Sequence, residues 1–439
     1  MDLSYLASSF ALLAILAIGI YSVFYFVFRR SILSITDPLN TGLCLIAFYL
    51  AGALFLPSFH TINQSYVYVI CLVFIYIFAS ALFLRRPARV REPRLAITPG
   101  HQLFFTLFLS LLIITNIIIN QIFGVIPLLE GTQARADYGS VASPTLFLLS
   151  PDISMVVLLI FLLTKFKTVK IWAGIGVLAS IVSTLLSGAK SSVFVIIFIL
   201  FTADYVLNLR RSTYMLKSQI DAISKTIRTT RTWILLSVIG AALILPYYLV
   251  LLKTDYGGGQ STGLQNLAIR LFGGFDALAI IAFQDIDITS VRGIGISDFY
   301  FYPVLKHLSH APEFQSAGQY LIYLETGSYQ LASSGLNPNS NFAIELLLSN
   351  GSPALSAGLI TLAAASIFWL RNRLLARGNL RLVDLVLWAT VVLAPFSLLM
   401  DGAYFVVRLY ELMAVYLALN IMVNAYMWLK PGRLMFRWL

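Results

Sequence analysis

The sequence predicts an all-α polytopic membrane protein with about eleven transmembrane helices and one large extracytoplasmic loop. Three observations predict this class. The composition is 59% hydrophobic and only 11% charged over 439 residues, whereas soluble domains carry roughly 25% charged residues. Long apolar runs recur along the chain between charged or turn-rich breaks. Lys and Arg residues are concentrated in every second break, which is typical of a membrane protein with a fixed orientation.

The apolar runs are long enough for helices that cross a bilayer, which need roughly 20 residues each. The first run, 5–28, has no basic start and ends at Arg29 and Arg30 instead of a small-residue cleavage site. We therefore expect it to be a retained span and not a signal peptide. The predicted spans are 5–28, 40–57, 66–84, 102–123, 145–164, 171–187, 192–209, 232–252, 353–370, 382–400 and 403–428.

The distribution of positive charge predicts the orientation of the chain. Of the 30 Lys and Arg residues, 23 fall in alternate breaks and in the C-terminal tail. The positive-inside rule makes these segments cytoplasmic, so we expect the N-terminus outside and the C-terminus in the cytoplasm. The net charge of +11 therefore indicates membrane orientation and not a nucleic-acid partner. The basic segments are 29–30, 85–94, 165–170, 210–231, 371–381 and 430–437.

The spans divide the chain into three predicted regions. Residues 1–252 hold the first eight spans and an outer loop at 124–144, and residues 341–439 hold the last three spans. Between them, 253–340 form a periplasmic loop of 88 residues that is rich in tyrosine. Its pieces Leu264–Ile269 and Ala277–Phe283 are amphipathic or membrane-dipping. Connections this long are uncommon unless they are functional or disordered, and we expect function at the outer face.

Few cations lie on the predicted outer side, and each opposes the positive-inside pattern. Arg135 precedes Tyr138 in an outer loop, and its planar guanidinium suits bidentate contacts to phosphate, although a salt bridge to Asp137 is the alternative. Lys190 lies at an outer turn before a predicted helix start, where free N–H groups favour an anion; the alternative is a snorkelling lysine. The seven cations that lie outside the predicted cytoplasmic segments are Arg135, Lys190, Lys253, Arg270, Arg292, Lys306 and Arg408.

Two of these cations have acidic neighbours in the sequence. Arg270 lies in an apolar segment, and its anionic partner is either Asp276 or a lipid phosphate. Arg408 and Glu411, in the last span, are spaced so that they face each other on one side of a helix. Arg408 is therefore either a substrate-binding residue or one half of an ion pair that fixes helix packing.

A catalytic base is the other functional group that the outer side offers. The candidates are Glu313, His307, His310 and Asp276, all within or near the large loop. His307 and His310 have no evident third ligand, so proton transfer is favoured over metal binding, and no metal or other cofactor is predicted. Cations suit a diphosphate, tyrosine rings suit the apolar faces of sugars, and a carboxylate or histidine could deprotonate a sugar hydroxyl.

In this arrangement the sequence resembles the O-antigen polymerase family, the Wzy-type oligosaccharide repeat-unit polymerases. The resemblance rests on Arg135 with Tyr138 and Gly139, on Gly188 with Lys190, on the segment from Arg270 to Asp276, and on the large loop before the last spans. It implies a metal-independent C-type glycosyltransferase of lipopolysaccharide biosynthesis in the bacterial inner membrane. Such an enzyme moves a glycan from undecaprenyl diphosphate to the sugar end of a new lipid-linked unit.

The resemblance also implies the partners, which are the undecaprenyl-diphosphate-linked oligosaccharide, membrane lipids and a chain-length regulator protein. Three other functions stay open at this point. An O-antigen ligase shares the architecture and uses lipid A core as its acceptor. A flippase would place ionisable residues around a midplane cavity and would have short outer loops. A structural subunit would need no charged outer pocket.

Overall fold

The structure is a computed structural model, and the part of the chain that it describes is almost entirely helical. The described residues include fourteen α-helices with defined bounds, which we number in chain order. The described residues are 3–34, 36–55, 63–84, 90–122, 151–186, 192–210, 276–289, 295, 298, 300–301, 316–328 and 340–429. The first seven helices are α1 Leu3–Phe28, α2 Pro38–Phe55, α3 Gln64–Phe83, α4 Pro99–Ile122, α5 Pro151–Leu163, α6 Lys167–Leu186 and α7 Ser192–Arg210. The others are α8 Asp276–Phe283, α9 Ala317–Thr326, α10 Phe342–Asn350, α11 Pro353–Ala376, α12 Leu382–Leu387, α13 Ser397–Met400 and α14 Gly402–Leu429.

The helices coincide with the apolar runs, with two exceptions. The predicted span 232–252 lies outside the described residues. The predicted span 382–400 is interrupted: α12 continues as a π-helix, Trp388–Val392, and the chain then turns before α13. Every other predicted span corresponds to one helix. The number of eleven spans therefore stays a prediction.

Five of the described helices are long and apolar enough to cross a membrane: α1, α2, α3, α11 and α14. Their outward surfaces carry large apolar side chains, among them Ile15, Phe26 and Phe78, which are 66%, 65% and 67% exposed. A soluble protein rarely leaves contiguous apolar patches of this kind in water. The described chain is therefore mostly helical and has the surface expected of an α-helical membrane protein.

The chain forms two compact units, the first of which comprises residues 1–91, 211–376 and 391–407. In this unit α1 packs against α2, and α3 packs against α11. Polar contacts join the ends of these helices that the charge pattern predicts to be cytoplasmic. Ser31 Oγ donates to the Leu84 carbonyl at 2.5 Å, and Asn372 Nδ2 donates to the Phe83 carbonyl at 3.2 Å.

A buried ion pair lies at the same end of the first unit. Arg371 of α11 is 1% exposed and its Nη2 is 3.5 Å from Asp37 Oδ1. The Asp37 carboxylate also accepts the N–H groups of Leu33 and Leu39, both at 2.9 Å. The pair thus joins α11 to the turn that leads into α2.

Parts of the predicted outer loop are folded against the opposite end of α3. The helix α8 packs on α3 and on α9. Asn63, the N-cap residue of α3, donates from Nδ2 to the Ile281 carbonyl at 2.6 Å. Ser65 Oγ accepts the N–H of Ile288 at 3.1 Å and lies 3.3 Å from Asp287 Oδ1. These polar contacts tie the described parts of 276–289 to one end of the first unit.

The second unit comprises residues 92–210, 377–390 and 408–439. Here α4 packs closely on α6, and Ser110 Oγ donates to the Trp172 carbonyl at 3.0 Å. A Cβ at Gly176 would come 2.9 Å from Val157 Cγ1, so this close approach requires glycine. A short parallel strand pair, β1 Arg94–Leu95 and β2 Asn379–Leu380, was not predicted from the sequence.

The described region that follows the π-helix is held in the first unit by aromatic side chains. The fully buried Tyr76 donates from its hydroxyl to the Pro395 carbonyl at 3.1 Å. The Phe396 ring lies 5.4 Å from the Phe368 ring and 6.2 Å from the Tyr76 ring. A Cβ at Gly42 would lie 2.7 Å from Phe396 Cδ2. Glycine in α2 therefore makes room for Phe396.

We expect Arg371→Met to destabilise the first unit, because it leaves Asp37 buried without its cation. Breaking a buried ion pair costs roughly 3–5 kcal/mol. The measurement is the apparent unfolding temperature of the detergent-solubilised protein.

Arg373→Met is the matched control for this change. Arg373 is exposed on the same helix, and its guanidinium lies 5.2 Å from the Trp369 ring centroid. An exposed cation–π contact contributes about 1 kcal/mol or less, so this variant should unfold close to the wild type. Equal unfolding temperatures for Arg371→Met and the wild type would contradict a stabilising role for the ion pair.

Candidate functional site

Most of the predicted site residues fall on segments whose structure is not described. This is true of Glu313, His307, His310, Arg135, Tyr138, Lys190, Arg270 and Arg292. The helix start predicted after Lys190 is confirmed, since α7 begins at Ser192. Asp276 is the first residue of α8, and only its backbone is described. The functional roles of all these residues stay predictions.

Arg408 is the one predicted site residue whose side chain is described. Its Nη1 lies 3.5 Å from Glu411 Oε2, and both side chains are mostly buried, at 16% and 13% exposed. The ion pair is therefore confirmed as a contact between neighbouring turns of α14. A substrate-binding role for Arg408 is not tested by this contact and stays a prediction.

The strongest polar centre in the described part of the first unit is Glu345, which sequence analysis did not single out. Glu345 lies in the short helix α10 and is 1% exposed. Its Oε1 accepts the Ala403 N–H at 3.3 Å and the Ser340 hydroxyl at 3.3 Å. Its Oε2 lies 3.1 Å from the Tyr300 hydroxyl. One carboxyl group thus joins three separate segments of the chain.

The helix that carries Glu345 has strong local signals at both ends. Asn341 is the N-cap residue, and its side chain accepts the Ile344 N–H at 2.9 Å. Gly351 ends the helix in the left-handed region, with φ +64°, and its N–H bonds to the Leu347 carbonyl. A Cβ at Gly351 would lie 2.8 Å from the Thr289 carbonyl oxygen.

Glycine at position 402 allows the close packing around Glu345. A Cβ at Gly402 would overlap Glu345 Oε2 and would come 2.6 Å from Phe342 Cδ2. Gly402 follows Asp401, whose extended backbone ends α13, and it opens α14. Any larger residue here would push α10 away from the start of α14. The sequence signal was present as Asp401-Gly402 inside an apolar stretch, but its partner could not be identified.

The electrostatics of the centre favour a neutral Glu345. Among the described residues, its partners are two hydroxyls and one N–H group, and no cation lies against it. Burial, with a further contribution from the nearby Asp401 carboxyl, raises the pKa of Glu345 to about 8. Burial beside Glu345 also raises the pKa of the Tyr300 phenol far above its usual value. The three hydrogen bonds that Glu345 accepts, from Tyr300, Ser340 and Ala403, oppose the rise of its own pKa, and burial outweighs them.

The described residues contain no cluster of His, Cys, Asp and Glu that could hold a metal ion. Comparisons with protein-family models, with curated proteins and with solved structures gave no match to the chain. The helices and their exposed apolar surface define the class as a helical membrane protein. Any more specific function has to be argued from its residues.

A neutral buried acid makes stability depend on pH. The folded pKa of Glu345, about 8, lies above its ordinary value of 4.5. Folding therefore binds a proton between these two values. The contribution of this group to stability is full below about pH 4.5 and is lost as the pH rises toward 8. We expect Glu345→Gln to fold and to lose this part of the pH dependence, measured by thermal unfolding from pH 5 to pH 8.

Glu325→Gln is the control for this experiment. Glu325 is exposed on α9 and accepts a hydrogen bond from Gln284 Nε2 at 3.1 Å. Its replacement should leave the wild-type pH dependence in place. An unfolding temperature of Glu345→Gln that changes with pH as the wild type's does would mean that Glu345 does not hold the proton.

Proposed function

We propose that the protein is a C-type glycosyltransferase of the bacterial inner membrane that polymerises lipid-linked oligosaccharide repeat units at the periplasmic face. The donor is a glycan on undecaprenyl diphosphate, and the acceptor is the sugar end of a new lipid-linked unit. A chain-length regulator protein and membrane lipids are the proposed partners. No cofactor is required by this chemistry.

The observation that carries the proposal is that described parts of the predicted outer loop are folded. The helices α8 and α9 pack on each other, α9 packs on α10, and α8 and α10 pack on α3. Tyr320 and Tyr323 of α9 stack with ring centroids 6.4 Å apart. A loop that only connected two spans would not need hydrogen bonds to α3 or a buried carboxyl linking it to α14. These contacts support an outer face built to hold a substrate.

The proposed reaction needs cations and one base. As the acceptor hydroxyl attacks the anomeric carbon, the bond from that carbon to the diphosphate breaks and the diphosphate leaves with the electron pair. Arg135, Lys190 and Arg270 are proposed to stabilise the negative charge on this leaving group. The hydroxyl proton passes to one of the base candidates named above. Tyr138, Arg292 and Arg408 are proposed to contribute further contacts to the substrate.

The proposed topology has eleven spans, with the N-terminus in the periplasm and the C-terminus in the cytoplasm. The polar contacts of the first unit support it, because they join segments that the charge pattern assigns to the same side. Asp37 contacts Arg371, and both are predicted to be cytoplasmic. Asn63 contacts Ile281, and both are predicted to be outside. If the charge pattern had assigned one of these segments to the wrong side of the membrane, the contacts would join segments predicted to lie on opposite sides.

A flippase for the same lipid-linked unit is the second candidate, and one observation favours it. Transporters form their sites from discontinuous helices near the bilayer midplane. The chain between α12 and α14 is discontinuous, and a buried acid contacts the first turn of α14 at Ala403. The 88-residue predicted loop favours the polymerase, because transporters of this kind would have short outer loops.

The topology is tested by reporter fusions at Lys217 and Ser316. One reporter is active only in the cytoplasm and the other only in the periplasm. We expect the cytoplasmic reporter to be active at Lys217 and the periplasmic reporter at Ser316, because the cations are concentrated on the side of Lys217. The same reporter active at both positions would rule the proposed topology out.

The function is tested by deleting the gene in its source bacterium and examining the lipopolysaccharide ladder on a gel. We expect the deletion strain to attach single repeat units to lipid A core and to lose the longer chains. Wild-type protein should restore the ladder. Arg135→Ala should not, because removing a cation from the leaving group costs about 10²-fold or more in rate. Arg135→Lys should restore only part, since an ammonium group cannot make the bidentate contact.

Arg373→Ala, an exposed cation of a predicted cytoplasmic segment, is the control and should restore the full ladder at equal protein levels. The deletion also separates the alternatives. Loss of all attached glycan would indicate a ligase, and accumulation of the lipid-linked unit on the cytoplasmic side would indicate a flippase. An unchanged ladder in the deletion strain would exclude all three functions.

A further inference from the structure

A groove of about 470 Å³ lies beside the ends of α1 and α3 in the first unit. One wall is formed by Phe26 and Val27 of α1, and the other by Phe78, Ala81 and Leu82 of α3. Apart from Ala81, these side chains are between 47% and 67% exposed. In a helical membrane protein such a surface faces acyl chains, because water would leave the apolar area unsatisfied.

Two arginines form the polar end of the same groove. Arg29 and Arg30 follow α1 directly and both are exposed. The Arg29 guanidinium lies 4.4 Å from the centroid of the Phe26 ring, which holds this cation over the apolar wall. Among the ion pairs of the described residues, neither arginine has a carboxylate partner. The groove therefore has two positive charges at one end, and the described residues supply no carboxylate that pairs with them.

The turn that carries the arginines is fixed in place. Ser31 Oγ donates to the Leu84 carbonyl at 2.5 Å, and the Ser31 and Ile32 N–H groups bond to the Phe28 carbonyl at 2.7 and 3.1 Å. The turn is thus tied both to its own helix and to the end of α3. A site that is already ordered loses little freedom when a ligand binds.

We propose that this groove binds one acidic phospholipid, with its phosphate at Arg29 and Arg30 and an acyl chain along Phe78 and Leu82. Charge complementarity selects an anionic headgroup, and the apolar walls select a lipid over a free phosphate. The same arginines are predicted to be cytoplasmic, so the lipid belongs to the cytoplasmic leaflet, where anionic lipids attract basic residues. The proposal is independent of the glycosyltransferase function: the groove needs only a membrane protein, and the choice of leaflet rests on the proposed topology.

The test uses purified full-length protein in phosphatidylcholine nanodiscs that contain a trace of photoactivatable phosphatidylglycerol. Cross-linked peptides are identified by mass spectrometry. We expect labelling at 26–31 and 78–84, and competition by unlabelled phosphatidylglycerol but not by added phosphatidylcholine or inorganic phosphate. Competition by inorganic phosphate, or equal competition by both lipids, would overturn the proposal.

Two variants separate the site from general attraction of lipids to basic residues. Arg29→Gln with Arg30→Gln should reduce groove labelling, since each cation near a membrane surface changes anionic-lipid binding about fivefold. Arg373→Gln should leave the groove labelling unchanged, because Arg373 is also exposed and lies over an aromatic ring but does not line the groove. Equal losses in both variants would mean that ordinary interfacial attraction explains the labelling.

Ala81→Phe tests the shape of the groove without changing any charge. Ala81 lies in the wall, and a phenyl group there would fill space that the acyl chain needs. We expect the labelling at 78–84 to fall, with size-exclusion behaviour like that of the wild type. Undiminished labelling would place the lipid outside the groove. If this variant does not fold, the arginine variants and the lipid competition decide the question.

Discussion

Backbone N–H and C=O groups need hydrogen-bond partners wherever water is absent, and this constraint governs how the described C-terminal part is built. A continuous helix satisfies its own groups, but the chain after Trp388–Val392 leaves helical geometry before α13. Side chains supply partners there. Tyr76 donates to the Pro395 carbonyl, Ser397 Oγ donates to the Ala394 carbonyl at 2.6 Å, and Glu345 accepts the Ala403 N–H. The interruption is therefore possible because residues of distant helices complete it.

The described part of the first unit buries two carboxyl groups, Asp37 and Glu345, and it accommodates them by different physical means. Asp37 lies next to the Arg371 guanidinium and accepts two backbone N–H groups, which offset part of the cost of burying its charge. Glu345 accepts hydrogen bonds from two hydroxyls and one N–H instead, and without a cation these do not offset its burial, so the neutral acid is favoured. A buried charge without a cation is costly, and protonation removes that cost. The ion pair ties α11 to the α2 turn, whereas the neutral acid ties the Tyr300 segment to the start of α14.

Hydropathy and local signals predicted much of the helical framework. The apolar runs predicted the helix positions, and the spacing of Arg408 and Glu411 indicated that the two side chains can face each other, as they do. Asp384 pairs with Arg381 in a capping box at the start of α12, three residues away in the sequence. These features depend on neighbours in the sequence, which is why a single sequence was sufficient.

The interruption in 382–400 and the role of Glu345 could not be predicted in the same way. Mean hydropathy measures how apolar a segment is, and it carries no information on whether the helix is continuous. Pro395 and Gly402 were the visible signals, but Tyr76 is 319 residues from Pro395. Glu345 lies among apolar residues, and its contacts to Tyr300 and Ala403 join positions 45 and 58 residues away. Partners at such separations are set by tertiary packing and not by local sequence.

The positive charges at the two ends of the helices call for different explanations, even though the side chains are the same. Cations on the predicted cytoplasmic side need no special ligand, since anionic lipids of that leaflet attract them. Arg29 and Arg30 differ from the other predicted cytoplasmic cations because they border an ordered apolar groove, and we therefore propose a specific lipid for them. On the predicted outer side that general attraction is absent, so Arg135, Lys190 and Arg270 call for an anion of their own, in the chain or in a ligand. The proposed lipid-linked diphosphate would supply such an anion at headgroup depth, and the folded segments around Glu345 would be a frame on which its sugars could be held.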